Sequence, residues 1–126
     1  MVEAREACSG ATGRNGGHCQ PLLLEYPEDP TVAAFELANY HALRDLIAER
    51  DIQCEWHAQP GAEAIYSRRH MANAERALAA LGESAPEIAR LVRLVTCAHE
   101  LAAWRVPGAL GAIVTEPAAR LSWNTC

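Results

Sequence analysis

Half of the chain's eight glycines fall in one run, Gly10-Ala11-Thr12-Gly13-Arg14-Asn15-Gly16-Gly17. A glycine inside a helix costs about 1 kcal/mol relative to alanine, so this run does not favour a helix. Glycine does allow positive φ angles and close approach of the backbone to another group. The segment from Glu6 to His18 is therefore predicted to be a loop, either one that binds a ligand or a flexible tail.

The other residues of this loop suit an anionic or flat polar ligand. Successive backbone N–H groups in a tight turn form a concave anion site. Arg14 adds a permanent, planar positive charge, and Thr12 and Asn15 add short polar groups that reach ligand oxygens. The P-loop motif GxxxxGK[ST] is absent because the chain has no lysine, and the glycine spacing does not fit GxGxxG. Spacing alone leaves open both a ligand site and a flexible glycine loop.

The clearest predicted helix starts after Asp29 and runs to about Arg50. Asp29 is a good N-cap, and Pro30 suits the first helical position. Apolar residues that recur at helical spacing mark the expected buried face, and they are Val32, Phe35, Leu43, Leu46 and Ile47. Most of the charged residues are expected to face water, and they are Glu36, Arg44, Asp45, Glu49 and Arg50.

The hydrophobic period then changes from that of a helix to that of a strand. Between Gln53 and Ala58 the apolar and polar residues alternate, which predicts a half-buried strand. Pro60-Gly61 predicts a turn, and residues 62–66 can return as a second strand, which gives a hairpin. The aromatic residues Trp56 and Tyr66, with His57, are candidates for substrate contact, but all three also fit the core or rim of a hairpin.

Helices and strands alternate irregularly in the second half of the chain. A second helix is predicted from Arg68 to Leu81, with Gly82 ending it. Ser84 and Glu87 have the spacing of a capping box for a short helical turn. Residues 91–95 are interpreted as a strand, with a continued helix as the alternative.

Two further elements complete the predicted order. Thr96 is expected to cap a short helix through Trp104, and Pro107-Gly108 breaks the chain before a last apolar strand over 109–114. The resulting order of loop, helix, hairpin, helix, strand, helix and strand predicts a mixed α/β fold, α+β when taken by itself. The 126 residues are enough for one domain with a buried core.

Charge and hydropathy exclude several classes of function. The net charge is −5, and only Arg68-Arg69 are adjacent among the scattered arginines, so a nucleic-acid-binding stripe is not expected. No stretch approaches the roughly 18 apolar residues of a membrane span. The first residues lack a basic patch followed by an apolar run, so a signal peptide is not expected and the cytoplasm is the predicted compartment.

Cysteine and histidine spacing gives no strong metal or redox signal. The five cysteines form no CxxC pair, so free thiols are expected, and a thiol-based redox function is a weak alternative. The five histidines are dispersed without zinc-site spacing. His18-Cys19 is interpreted as a loop histidine beside a structural thiol, with half of a metal site as the alternative. No metal is predicted.

Two blocks of sequence resemble the D-amino-acid oxidase-like family of FAD-dependent oxidoreductases. The first block is Val2-Glu3-Ala4-Arg5 followed by Cys8-Ser9-Gly10-Ala11-Thr12-Gly13-Arg14-Asn15-Gly16-Gly17-His18. The second is Pro107-Gly108-Ala109-Leu110-Gly111-Ala112 with Glu116-Pro117-Ala118-Ala119. In that family the first block lies at the end of the second strand of the Rossmann-type FAD domain and in the following loop. The second lies where the chain leaves and re-enters the substrate-side domain. The resemblance implies FAD as the cofactor.

The resemblance also implies roles for individual residues. Glu3 matches the acidic residue that accepts hydrogen bonds from the ribose hydroxyls of the adenosine moiety. Arg5 falls near the adenosine end. The remaining matched residues would line the loop along the pyrophosphate and flavin, with His18 near the flavin ring or simply in the loop; they are Thr12, Arg14, Asn15, Gly16, Gly17 and His18.

Some parts of the family pattern have no counterpart here. The family begins with a strand and a GxGxxG turn that places the pyrophosphate at a helix N-terminus, whereas Met1 corresponds to a position inside the second strand. The ending Leu121-Ser122-Trp123-Asn124-Thr125-Cys126 departs from the family's continuation. We therefore expect a fragment with an unpaired edge strand at Met1-Val2-Glu3, marginal stability, and weak FAD affinity or none.

These expectations divide the chain into three parts. Residues 1–28 form a partial FAD-binding segment, 29–122 form the helical and hairpin part of the oxidoreductase, and 123–126 form an aberrant tail. The implied chemistry is oxidation of a C–N bond in a small amine or amino-acid substrate by hydride transfer to flavin. The alternative is a small non-enzymatic α/β module that binds a protein partner through the helix from Pro30 to Arg50.

Overall fold

A computed structural model describes Gly10 and residues 14–122 of the chain. The described residues form helices and short strands in a mixed α/β arrangement, as the sequence predicted. The elements are β1 (His18–Cys19), α1 (Pro30–Glu49), β2 (His57–Ala58), β3 (Gly61–Ile65), α2 (Arg68–Ser84), α3 (Pro86–Ala89), β4 (Val92–Val95), α4 (Ala98–Ala103), β5 (Gly111–Thr115) and β6 (Ala119–Arg120).

Helix α1 begins and ends where the sequence predicts. The Asp29 carboxylate accepts a hydrogen bond from the Thr31 amide at 3.1 Å, and Pro30 occupies the first helical position. At the other end, the Arg50 amide donates to the Leu46 carbonyl at 3.0 Å. The cap at the start of the helix uses neighbouring residues, which is why Asp29 and Pro30 locate that end in the sequence.

The predicted buried face of α1 is partly wrong. The residues that are buried are Ala33, Tyr40 and Ile47, and only Ile47 was predicted. Phe35 is 68% exposed and Leu46 is 44% exposed, whereas Val32 and Leu43 are half-buried. The buried positions recur every seven residues. The buried stripe of the helix is therefore narrower than the predicted apolar face, and it is centred on Tyr40.

The first sheet has three very short strands in the order β1-β6-β2, all antiparallel. The predicted hairpin is therefore wrong, because β2 pairs with β6 and β3 pairs in a different sheet. The alternating run that begins at Gln53 is interrupted by Glu55, which takes a positive φ of 45°. Only His57 and Ala58 remain as strand, while Cys54 is 1% exposed and accepts a backbone hydrogen bond from Ser122 at 2.9 Å.

The second sheet has the order β3-β5-β4, and both pairings are antiparallel. Alternate residues of its strands, including Ile65, Ile113 and Val92, join α2 and α3 in the main hydrophobic core. Val114 and Val95 belong to a smaller cluster with Leu101 of α4. Burying an aliphatic side chain contributes roughly 1.5–3 kcal/mol, so this packing on both faces of the sheet stabilises the fold.

Helix α2 starts as predicted but ends later. Ser67 caps it by accepting a hydrogen bond from the His70 amide at 3.1 Å. Gly82 was predicted to end the helix, but the helix continues to Ser84 because a glycine in an exposed turn weakens a helix without breaking it. The predicted capping box is also wrong, since the Ser84 hydroxyl donates to the Ala80 carbonyl at 3.0 Å, inside α2.

The last third of the chain follows the predicted order with two changes. Residues Val92–Val95 are a strand, as interpreted, because they pair with β5. Thr96 does not cap α4; Cys97 occupies the N-cap position and its side chain forms no capping hydrogen bond. The predicted last strand over 109–114 corresponds to β5, and β6 after it was not predicted.

Candidate functional site

From Arg14 onward, the structure describes the C-terminal end of the glycine-rich loop, which leads into β1. Of the predicted cofactor residues, Glu3, Arg5 and Thr12 lie outside the described residues. The other five are consecutive residues that lead into the first sheet, and they are Arg14, Asn15, Gly16, Gly17 and His18. Gly17 is half-buried, and the other four are exposed.

Gly17 occupies a position that only glycine fits without strain. Its φ is +66°, in the left-handed region. A Cβ atom at this position would lie 2.0 Å from the Leu121 carbonyl oxygen. The Leu121 amide in turn donates to the Gly17 carbonyl at 2.8 Å. Gly17 therefore allows the loop to approach β6 closely enough to start the β1–β6 ladder.

Asn15 and Gly16 shape the turn just before β1. The Asn15 Oδ1 accepts a hydrogen bond from the Gly17 amide at 2.8 Å, which closes a short side-chain-to-backbone turn. A Cβ atom on Gly16 would lie 2.9 Å from the His18 Nδ1, so the imidazole lies over Gly16. The structure thus brings the side chains of Asn15 and His18 and two glycine backbones together in one turn.

Behind β1, the buried Tyr40 links helix α1 to the first sheet. Its hydroxyl donates to the Ala118 carbonyl at 3.3 Å, and its side chain is 6% exposed. Its ring also contacts Trp56, with centroids 5.6 Å apart, and His41, with centroids 5.4 Å apart. Tyr40 was not predicted to be buried, although its seven-residue spacing from Ala33 and Ile47 is a signal that could have identified it.

Burial makes the two titratable groups behind β1 more difficult to ionise. Desolvation raises the pKa of the Tyr40 phenol, the negative charge of Cys19 raises it further, and Arg44 opposes this effect. Burial also raises the pKa of the Cys19 thiol. A neutral thiol is a poor nucleophile. Among the described residues, Cys19, Cys54 and Cys97 are free thiols.

A largely apolar groove of about 490 Å³ runs between β1 and α1. Cys19 and Tyr40 line it on the inside, and Phe35 lines it at the surface. The His41 Nδ1, on the same helix, is buried and has no hydrogen-bond partner among the residues that the structure describes.

The three candidates for substrate contact do not form one site. Trp56 is half-buried against Tyr40, and His57 is exposed on β2. Tyr66 follows β3 of the second sheet and is 60% exposed. Trp56 therefore serves as packing behind the first sheet, while His57 and Tyr66 remain on the surface of different sheets.

Within residues 14–122 no three His, Cys, Asp or Glu side chains come together in a way that could hold a metal ion. None of the helices in the described part of the chain is long and apolar enough to cross a membrane.

Helices with two small antiparallel sheets, and a glycine-rich loop entering one of them, are consistent with part of an FAD-binding domain. The chain belongs to the FAD dependent oxidoreductase family, whose family model matches residues 1–122. This match confirms the family that the sequence blocks resemble, and the chain is thus related to oxidoreductases that use FAD. Comparisons with curated proteins and with solved structures gave no match.

Proposed function

We propose that this chain supplies part of the FAD site of an enzyme that oxidises a C–N bond in a small amine or amino acid. The observation that carries the proposal is the family match over residues 1–122, together with the exposed turn at Arg14–His18. When bound, FAD would supply the hydride acceptor for this oxidation. The protein residues would bind and orient the cofactor.

The chemistry of the turn suits a phosphate and a polar ring. Arg14 is exposed, and within residues 14–122 its guanidinium forms no ion pair. A guanidinium binds phosphate oxygens through a planar pair of N–H groups. His18 adds an imidazole that can donate to or accept from a ring atom. Asn15 has a positioning role, because its side chain holds the Gly17 amide in the turn.

The proposed roles of the remaining residues follow the family pattern. Glu3 would accept hydrogen bonds from the ribose hydroxyls, and Arg5 would lie near the adenosine. Thr12, Gly16 and Gly17 would border the pyrophosphate and flavin. In this proposal residues 1–28 belong to a Rossmann-type FAD domain, and part of residues 29–122 belongs to the substrate side.

We further propose that this chain by itself binds FAD only weakly. The sequence contains no GxGxxG motif, so it lacks the usual turn that places a pyrophosphate at a helix N-terminus. Both sheets among the described residues are antiparallel, and neither provides the parallel strand-turn-helix unit that such a site uses. Most of the pyrophosphate contacts would therefore have to come from elsewhere.

Titration of the purified, ¹⁵N-labelled chain with FAD tests the proposed loop. We expect the amide resonances of Arg14–His18 to move at FAD concentrations well above micromolar, and we expect Asn15→Ala and Gly16→Val to reduce these changes. Gly82→Ala is the matched control, since nothing lies within 4 Å of a Cβ at that site. Changes confined to residues outside the loop would contradict the site. Micromolar or tighter binding that the loop variants abolish would contradict the weak affinity.

A second candidate function is a non-enzymatic module that binds a protein partner. The observation in its favour is that Phe35 is 68% exposed beside the apolar groove on α1. Under this alternative, protein isolated from its native cells would carry no flavin. It would also co-elute with a stoichiometric partner that Phe35→Ser removes. A flavin absorbance spectrum in that preparation would contradict the alternative.

A further inference from the structure

One arginine and two histidines form a row across the first sheet. Arg120 of β6 is the register partner of His18 on one side and of His57 on the other. Residues directly opposite each other on neighbouring strands point to the same face of a sheet, with Cβ atoms about 4.5–5.5 Å apart. The row therefore spans the whole width of the sheet, roughly 10 Å between its outer strands.

All three side chains of this row are exposed. Among the described residues, the guanidinium of Arg120 and both imidazoles form no ion pair with a carboxylate. The arginines that are paired there, Arg44 and Arg93, lie on other elements. A row of basic groups without carboxylate partners is notable on a chain whose net charge is −5.

Three described residues lie next to the row: Ser122, Glu55 and Gly16. Ser122 lies two residues beyond Arg120, and its hydroxyl donates to the Glu55 carboxylate. Glu55, two residues before His57, is thus an acidic group near the row on the β2 side. On the β1 side the corresponding position belongs to Gly16, which has no side chain, and the His18 imidazole lies over it.

We propose that His18, Arg120 and His57 form a binding site for an oxyanion, either a carboxylate or a phosphate. A guanidinium binds both kinds of group through two parallel N–H···O bonds. An imidazole on each side can add an N–H donor to the same ligand. Two of the three residues, Arg120 and His57, lie far from the glycine-rich loop in sequence. The site shares His18 with the proposed cofactor loop, but it requires no flavin, so phosphate and acetate can test it in the absence of FAD.

The test is a titration of the ¹⁵N-labelled chain with inorganic phosphate and, separately, with acetate, at low ionic strength. We expect saturable shifts centred on the amides of His18, His57 and Arg120, and no such shifts with sodium chloride at matched ionic strength. Arg120→Gln should weaken binding about tenfold or more, because a hydrogen bond to a charged group is lost. Arg69→Gln, an exposed arginine on α2, is the matched control and should change binding less than about twofold.

A second variant tests the site if Arg120→Gln does not fold. If the amide spectrum of that variant loses its dispersion, His57→Gln is compared with His99→Gln, which removes an exposed histidine from α4. Weaker anion binding in His57→Gln alone supports the site. Shifts that never saturate, that sodium chloride reproduces, or that persist unchanged in the folded row variants would overturn it.

The two titrations also distinguish the source of the oxyanion. Tighter binding of phosphate than of acetate would indicate a phosphorylated ligand such as a nucleotide. Tighter binding of acetate would indicate the carboxylate of an organic acid or amino acid. Both results support an oxyanion site, whereas binding of neither ion would overturn it.

Discussion

Gly17 and Leu121 meet backbone to backbone, with the Leu121 amide donating to the Gly17 carbonyl at 2.8 Å. The same glycine has φ +66°, and a Cβ there would lie 2.0 Å from the Leu121 carbonyl oxygen. This contact joins the glycine-rich loop to β6, more than a hundred residues later in the chain. The glycine therefore has a structural role that holds whether or not the loop binds a cofactor.

Gly17→Ala is expected to destabilise the chain by about 2 kcal/mol or more, because it adds both backbone strain and a collision with Leu121. Gly82→Ala is the matched control. It lies inside α2 with open space around it, so alanine should stabilise the chain by about 0.5–1 kcal/mol. Chemical denaturation of the two variants measures both free energies of unfolding. Equal stabilities for the two variants would contradict the close approach at Gly17.

Tyr40→Phe removes the hydrogen bond that connects α1 to the Ala118 carbonyl. The expected cost is about 0.5–1.5 kcal/mol of unfolding free energy. The lower end is favoured because the Ala118 carbonyl also accepts from the Gln59 amide at 3.0 Å. Tyr66→Phe is the control, since Tyr66 is 60% exposed, and its effect should stay within about 0.5 kcal/mol. A neutral Tyr40→Phe variant would show that the phenol does not hold α1 to the sheet.

The chain should lose stability in alkaline solution through Cys19 and Tyr40. Folding raises the pKa of both groups above their ordinary values of 9.0 and 10.0. The folded chain therefore keeps protons that the unfolded chain releases, and stability falls as the pH rises from about 9 through the raised values. No lysine titrates in this range, because the chain has none.

Denaturation at several alkaline pH values measures this loss. The double variant Cys19→Ser, Tyr40→Phe should show a shallower decline in unfolding free energy than the wild type. Cys97→Ser is the control for a thiol that is exposed. An identical decline in the double variant and the wild type would contradict the role of these two groups.

Ser67→Ala should cost about 1 kcal/mol, because the Ser67 hydroxyl accepts the hydrogen bond that caps α2. Ser84→Ala should be close to neutral or slightly stabilising, because the Ser84 hydroxyl only bonds back to Ala80 within the same helix. Thermal unfolding of the two variants compares them directly. A larger loss of stability in Ser84→Ala than in Ser67→Ala would support the capping box that the sequence predicted and would contradict the hydrogen bond from Ser84 to Ala80.

Features that depend on neighbouring residues could be predicted from the sequence. Asp29 and Pro30 identified the start of α1, and the apolar run of residues 109–114 identified β5, although with shifted ends. These signals are local, because a capping hydrogen bond or a strand propensity involves only a few adjacent residues. The family blocks, likewise, could be recognised without any structure.

The first sheet could not be predicted, because its strands have only two residues each and pair across long sequence separations. The alternation of residues 53–58 suggested a longer strand, but the positive φ of Glu55 ends it early. Tyr40 and Ala118 are 78 residues apart, so no local pattern shows that they meet. For the same reason, the row of His18, Arg120 and His57 becomes visible only once the register of β6 is known.

The most direct test of a role in an FAD-dependent enzyme is a visible absorption spectrum of the protein that carries this sequence, isolated from its native cells. We expect a flavin spectrum that bleaches when an amine or amino acid is added without oxygen, since FAD, when bound, would accept hydride from the carbon that bears the nitrogen. A preparation that contains the chain in native form but has no flavin spectrum would contradict a role in an FAD-dependent enzyme. If only substrates without a C–N bond reduced the flavin, this result would contradict the proposed amine chemistry.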